Sequence, residues 1–90
     1  MIDMTSGDVR EILRWCIENR IVADIRYKDE DSERTVEPHE IVGRDKDSVL
    51  CWQTAGVSGT GWRRFRILRI NAVSPHGISF TQRDGGKPGL

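Results

Sequence analysis

The spacing of apolar residues changes once along the chain, near position 20. Before it, Val9, Ile12, Leu13, Cys16 and Ile17 fall at i, i+3, i+4, i+7 and i+8, one continuous stripe at helical period. This predicts a helix over residues 6–20. Thr5 or Ser6 can cap it, and Asp8 suits the positive end of its dipole. Trp15 sits at the edge of the stripe. A lone helix cannot bury such a stripe, so it must pack on the sheet that follows or on a partner.

From Ile21 the period is two. Ala23, Ile25 and Tyr27 alternate with Asp24 and Arg26, the pattern of a half-buried strand. Lys28 to Glu33 is a polar turn. Arg34 to Val42 is a second extended run; Pro38 within it marks an edge, a bulge or a bend, because proline has no ladder N–H to give. After the turn Gly43 to Asp47, a third strand covers Val49 to Thr54. It carries Leu50 and Trp52 on one face and Val49, Cys51 and Gln53 on the other. Ala55 to Gly61 is a loop with three glycines and two small hydroxyl residues. It leads into a fourth strand from Trp62. A last short strand is expected around Ile78 and Phe80, after a turn at Ser74-Pro75-His76-Gly77. Thr81 to Leu90, polar and glycine-rich, reads as a flexible, frayed tail. One helix followed by about five short strands predicts one domain over residues 1–80, mainly β, in a small barrel or sandwich.

The stretch Trp62 to Ile70, WRRFRILRI, holds four of the fourteen Lys and Arg residues. As a strand it places Arg64, Arg66 and Leu68 on one face and Arg63, Phe65, Ile67 and Arg69 on the other, with Phe65 and Ile67 entering the core. Clustered arginines suit a planar anion such as phosphate or carboxylate, because the guanidinium fork makes two parallel hydrogen bonds. The plain alternative is a solvated charged face.

Charge changes the picture only locally. The net charge is zero, yet residues 1–47 hold eight Lys and Arg against thirteen Asp and Glu, and residues 48–90 hold six against one. Any anion site is therefore local, and the chain is not a strongly basic, non-specific nucleic-acid binder. No apolar run is long enough for a membrane span, and the acidic, polar start MIDMTSGDVR does not fit a secretory signal, so a cytoplasmic setting is expected. Cys16 and Cys51 then read as reduced and buried. With His39 and His76 they lack metal-ligand spacing, and neither a metal nor another cofactor is expected. No nucleophile–base signature, phosphate loop or paired-carboxylate pattern points to an enzyme; Asp29, Glu30 and Asp31 make an acidic turn.

Three segments, in order, resemble the WYL domain family: Ile25-Arg26-Tyr27; Arg34-Thr35-Val36-Glu37-Pro38, similar to the family's R-x-V-E-P; and Arg63 to Ile70, similar to its R-x-F-R-l-x-R-I. The resemblance runs from about Ile12 to Phe80. One departure stands out: the Trp-Tyr-Leu triplet that names the family falls on Ser48-Val49-Leu50, and Trp52 lies two residues further on. The resemblance implies a helix followed by an Sm-like, SH3-like five-stranded β-barrel. WYL domains are mostly bacterial and often attached to transcription regulators, helicases or defence proteins. They bind nucleic acid or nucleotide-like ligands on a basic, aromatic-lined patch. Carried onto this chain, that patch implies Tyr27, Arg34, Arg63, Arg66 and Arg69, with His39 a further candidate.

Together these readings give a non-catalytic regulatory module for an anionic ligand, a nucleotide or single-stranded nucleic acid, bound through Arg63, Arg64, Arg66 and Arg69. Aromatic rings offer bases a stacking surface worth about 1–3 kcal/mol each. Trp62, after the glycine-rich loop, is expected to be the exposed platform; Trp52 is expected in the core, and Tyr27 either in the core or at the ligand. Arg34 either binds ligand or pairs with Glu37 or Glu40, and Arg69 is alternatively a buried, structural arginine. The competing reading is a protein-interaction or self-association module, in which the acidic half of one copy meets the basic half of another.

Overall fold

The computed structural model describes residues 4–28 and 30–88. Helix α1 covers Ser6–Asn19, and strands β1 to β5 cover Ile21–Tyr27, Arg34–Val42, Ser48–Ala55, Gly61–Arg66 and Ile70–Ser79. A 3-10 turn, Ile67–Arg69, joins β4 to β5. Thr5 caps the helix: its Oγ1 accepts the Asp8 N–H at 3.1 Å and its carbonyl accepts the Val9 N–H at 3.0 Å. The predicted stripe is the buried one. Val9, Leu13 and Cys16 are fully buried, Ile12 and Ile17 flank them, and Trp15 is half exposed.

All five strands pair antiparallel in one sheet, in the order β4-β3-β2-β1-β5. The helix stripe meets Ala23, Ile25, Val36, Val49, Cys51, Phe65, Ile67, Ile70 and Val73 on one face of that sheet. The sheet is curled at one end. Its two edge strands are joined by a three-residue turn that advances roughly 6 Å, whereas the edges of a flat five-stranded sheet lie about 19 Å apart. Two backbone bonds carry the neighbouring ladders into this turn: Lys28 N–H donates to the Arg69 carbonyl at 2.8 Å, next to the β1–β5 pairing, and Ile67 N–H to that of Asp47 at 2.9 Å, next to the β3–β4 pairing. No β4–β5 ladder is among the pairings of the described residues.

Pro38 sits in a central strand. The β1–β2 ladder spans only Ala23–Ile25 against Val36–Arg34, and the β2–β3 register shifts between Pro38 and Glu40, leaving His39 as the extra residue of a bulge. A proline is tolerated where the ladder is already broken.

The expected turn at Ser74-Pro75-His76-Gly77 does not form. These residues run through β5, where Ser74 opposes Asp24 and Pro75 opposes Ala23, beside a register shift between Ile21 and Ala23. Pro75 lies on an edge strand, whose outward N–H has no ladder partner to lose, and Gly77 (φ +77°) takes the irregular step. The period-two reading of Trp62 to Ile70 also ends early. Phe65 and Ile67 are buried as expected, but the 3-10 turn breaks the alternation and leaves both Leu68 and Arg69 exposed. Arg69 is thus not a buried arginine.

Thr81 to Leu90 was expected to fray; residues 82–87 instead make specific contacts, described below, and residues 89 and 90 lie outside the described residues. So does Asp29 of the acidic turn, and so do residues 1–3 of the start read as non-secretory.

Candidate nucleic-acid interface

The predicted site residues separate into three groups, because the two faces of β3 and β4 and the ends of the sheet lead to different surroundings.

The first group lies on the helix-facing side, around the β3–β4 loop. Alternation puts Gln53 on the face of Val49 and Cys51, and it is fully buried there. Its Nε2 donates to the carbonyls of Val57 (2.6 Å) and Gly59 (2.8 Å), and its Oε1 accepts from Arg34 at 3.0 Å. Arg34 does not pair with Glu37 or Glu40; the strand period sends Glu37 to the opposite face. It forms a two-point pair with Glu30 (3.0 and 2.6 Å) and lies over the Phe65 ring at 5.3 Å. That pairing raises the Arg34 pKa and lowers that of Glu30. Arg63 turns back on the same loop, donating to the carbonyls of Trp62 (2.8 Å), Ser58 and Gly59 (3.2 Å). Arg34 and Arg63 therefore hold the loop. Tyr27 packs on Phe65 with ring centroids 5.2 Å apart, and its hydroxyl accepts the Arg66 N–H at 3.3 Å.

The second group faces away from the helix and is aromatic. Trp62 is not an open platform. It is half-buried, edge-on to Trp52 (5.5 Å) and to His39 (4.9 Å), and its Nε1 donates to the Gly85 carbonyl at 3.1 Å. Trp52, expected in the core, is half-buried on this outer face beside the buried Leu50. His39 is buried. Its Nδ1 lies 2.7 Å from the Glu37 carbonyl and its Nε2 accepts the Arg83 N–H at 3.0 Å, so the proton is assigned to Nδ1.

The third group is exposed. Arg64 and Arg66 alternate along the solvent side of edge strand β4, with Arg69 just beyond. The Arg64 guanidinium has no hydrogen bond or ion pair to the described residues, and that of Arg66 has only a loose 3.8 Å approach to Asp47. Beside them the β2–β3 turn adds Arg44 and Lys46. Two clefts flank this turn: one of about 440 Å³ bordered by Arg44, Lys46, Arg64 and Glu40, and one of about 200 Å³ bordered by Asp47, Arg66, Leu68 and Arg69. Gly43 (φ +99°) lets the turn close, since a Cβ there would lie 2.3 Å from Asp47 Oδ1. Arg10 of α1 donates to the Lys46 carbonyl and fastens the turn to the helix.

The WYL domain family model matches residues 8–75, most of the chain. The chain belongs to the WYL domain family. Of solved structures, that of proteasome accessory factor B/C (PafBC) of Arthrobacter aurescens superposes with a TM-score of 0.73 over 91% of this chain. The two are 21% identical, and the match covers 14% of the PafBC chain, so the likeness concerns the fold. Comparison with curated protein sequences gave no match. In this WYL domain Ser48, Val49 and Leu50, which the resemblance sets against the naming triplet, open β3 and are all buried.

Four contributors were missed from sequence. Gln53 was legible: a polar residue alternating with two core residues must have its amide satisfied. Arg44 and Lys46 look like any polar turn until the fold sets them beside Arg64. Arg83 gave no local signal, because its partner Glu37 is far away in sequence. Among the described residues there is no cluster of His, Cys, Asp and Glu able to hold a metal, and no helix is long and apolar enough to cross a membrane. Burial raises the Cys16 thiol to about 11 and pushes Cys51 up as well. Both thiols are free and belong to the core.

Proposed function

We propose that this WYL domain is a cytoplasmic, non-catalytic regulatory module that binds an anionic ligand, a nucleotide or single-stranded nucleic acid, on a curled sheet of the Sm-like or SH3-like kind. One observation carries the reading. Arg64 and Arg66 project from an open edge strand next to Arg69, Arg44 and Lys46, while the other conspicuous arginines, Arg34 and Arg63, are spent on the protein's own loop. Cations left with little internal pairing cost little to redirect to phosphate. Asp45 and Asp47 in the same turn temper the field, which suits a short ligand rather than duplex tracking.

The test is fluorescence anisotropy of labelled single-stranded DNA and RNA, titrated with wild-type protein and with Arg64→Ala/Arg66→Ala at low and moderate salt. Expected is saturable binding that weakens with salt by a log–log slope of about −0.7 per phosphate neutralised. It should be lost in the double variant with an unchanged circular-dichroism spectrum. Absence of wild-type binding at low salt rejects the reading and turns attention to protein partners and self-association.

A further inference from the structure

The face of the sheet turned away from α1 carries a second, differently charged constellation. In the ladders Glu37 opposes Trp52 and Trp52 opposes Trp62, so one carboxylate and two indoles lie in a row across β2, β3 and β4. The β2 bulge adds His39, and Glu40 follows it. A buried carboxylate beside indole faces is suited to a guanidinium, which takes two hydrogen bonds from the acid and lies over the ring.

Arg83 supplies that guanidinium. Its Nε is 2.7 Å from Glu37 Oε1, its terminal nitrogen is 3.3 Å from Oε2, and its Cζ lies 4.7 Å from the Trp52 ring centre. The segment is gripped along its length. Arg83 N–H donates to His39 Nε2, the Gly85 carbonyl accepts from Trp62 Nε1, and Lys87 Nζ is 3.1 Å from Glu40 Oε1. Gly86 takes φ +69°, a conformation that favours glycine, and a Cβ there would lie 3.8 Å from Trp62 Nε1. None of residues 80–88 belongs to a strand; Phe80 N–H and Gln82 Oε1 are tied to Arg20, and residues 83–87 are held by side chains of the sheet rather than by a backbone ladder.

We propose that this face is a recognition site for an extended peptide of the pattern Arg-x-Gly-Gly-Lys, and that residues 83–87 occupy it in cis. A basic segment of that chemistry on a partner protein is the ligand that competes for it. The site takes a ligand of opposite charge from that of the anion-binding edge; the two adjoin at Glu40, which pairs with Lys87 and also borders the cleft beside Arg64. The tethered tail competes at an effective concentration in the millimolar range, so an outside peptide binds only when the tail has lifted.

The test keeps the full chain. A fluorescein-labelled peptide with the sequence of residues 80–88, FTQRDGGKP, is titrated into wild-type protein and into Arg83→Ala/Lys87→Ala, whose own tail has lost its anchors. Expected is saturable binding to the double variant, about tenfold weaker to wild type because of cis competition. Binding should vanish when the peptide's arginine is replaced by alanine, a control that leaves the protein untouched, and when Glu37→Gln is added to the receptor. The Trp62 indole N–H resonance should move in Arg83→Ala/Lys87→Ala and return towards its wild-type position on saturation with peptide. Failure to saturate by about 5 mM peptide, equal binding of the alanine peptide, or an unmoved indole resonance in the double variant would each overturn the proposal.

Discussion

Gln53 offers the most direct test of how the β3–β4 loop is held. Replacing it with leucine keeps side-chain size and burial but removes the amide. Three hydrogen bonds go: two to loop carbonyls and one from the Arg34 guanidinium. Neutral bonds contribute about 1 kcal/mol each and the charge-assisted one about 1.5. Two effects reduce the total. Val57 and Gly59 are exposed, so water can reach their carbonyls, and Arg34 keeps its two-point pair with Glu30. Burying leucine in place of an amide returns about another 1 kcal/mol. The expected net loss is about 2 kcal/mol, or roughly 8–16 °C in Tm for a domain of this size. Gln53→Glu should be worse, because it sets a carboxylate against two carbonyl oxygens. Urea unfolding followed by tryptophan fluorescence gives the free energies, and limited proteolysis reports opening of residues 55–60. A loss below about 0.5 kcal/mol, the range of an ordinary surface substitution, would refute the assignment of the loop clamp to Gln53.

The arginines should divide by role. Arg64→Ala and Arg66→Ala should leave the urea midpoint within about 0.5 kcal/mol of wild type, whereas Arg34→Ala, which strands Glu30 and Gln53, should cost about 2 kcal/mol; equal costs would contradict the division. Leu13→Ala, at a fully buried position on the helix stripe, should lose about 2–5 kcal/mol by denaturant unfolding. Asp24 is desolvated by burial, but hydrogen bonds from His76 (2.7 Å) and Thr35 (2.7 Å) outweigh this and hold its carboxyl below its ordinary value; hydrogen bonding to Arg34 does the same for Glu30. A lowered folded pKa means that the unfolded chain takes up protons first on acidification. The stability from both pairs is thus complete above the ordinary carboxylate range, about pH 4, and drains away below it. Urea midpoints measured from pH 6 to 3 should fall, and the fall should be shallower in Asp24→Asn.

Elements whose evidence is local were legible in the chain. The helix announced itself through a stripe and a cap within fifteen residues, and strands β1 to β3 through alternation and punctuation. Membership of the WYL family was carried by three short motifs in order. Pro75 and Gly77 misled because residues that break a central ladder are harmless on an edge strand, and edge status belongs to the sheet. Arg69 changed sides because the link between β4 and β5 is a 3-10 turn, which breaks the period-two alternation of the strand before it.

Sequence by itself determined which residues can form each element and that arginines crowd the fourth strand. Only the tertiary structure decided what those arginines and Arg34 of β2 contact. Arg34 and Arg63 met loop carbonyls, Glu30 and a buried glutamine, so their hydrogen-bonding capacity was absorbed. Arg64 and Arg66, one step along the same period, faced water. The tail's role was decided in the same way: Arg83 is ordinary until β2 and β3 bring Glu37 and Trp52 beneath it. A guanidinium is identical everywhere in the chain, and its function follows from which acceptors the fold sets within about 3 Å of it.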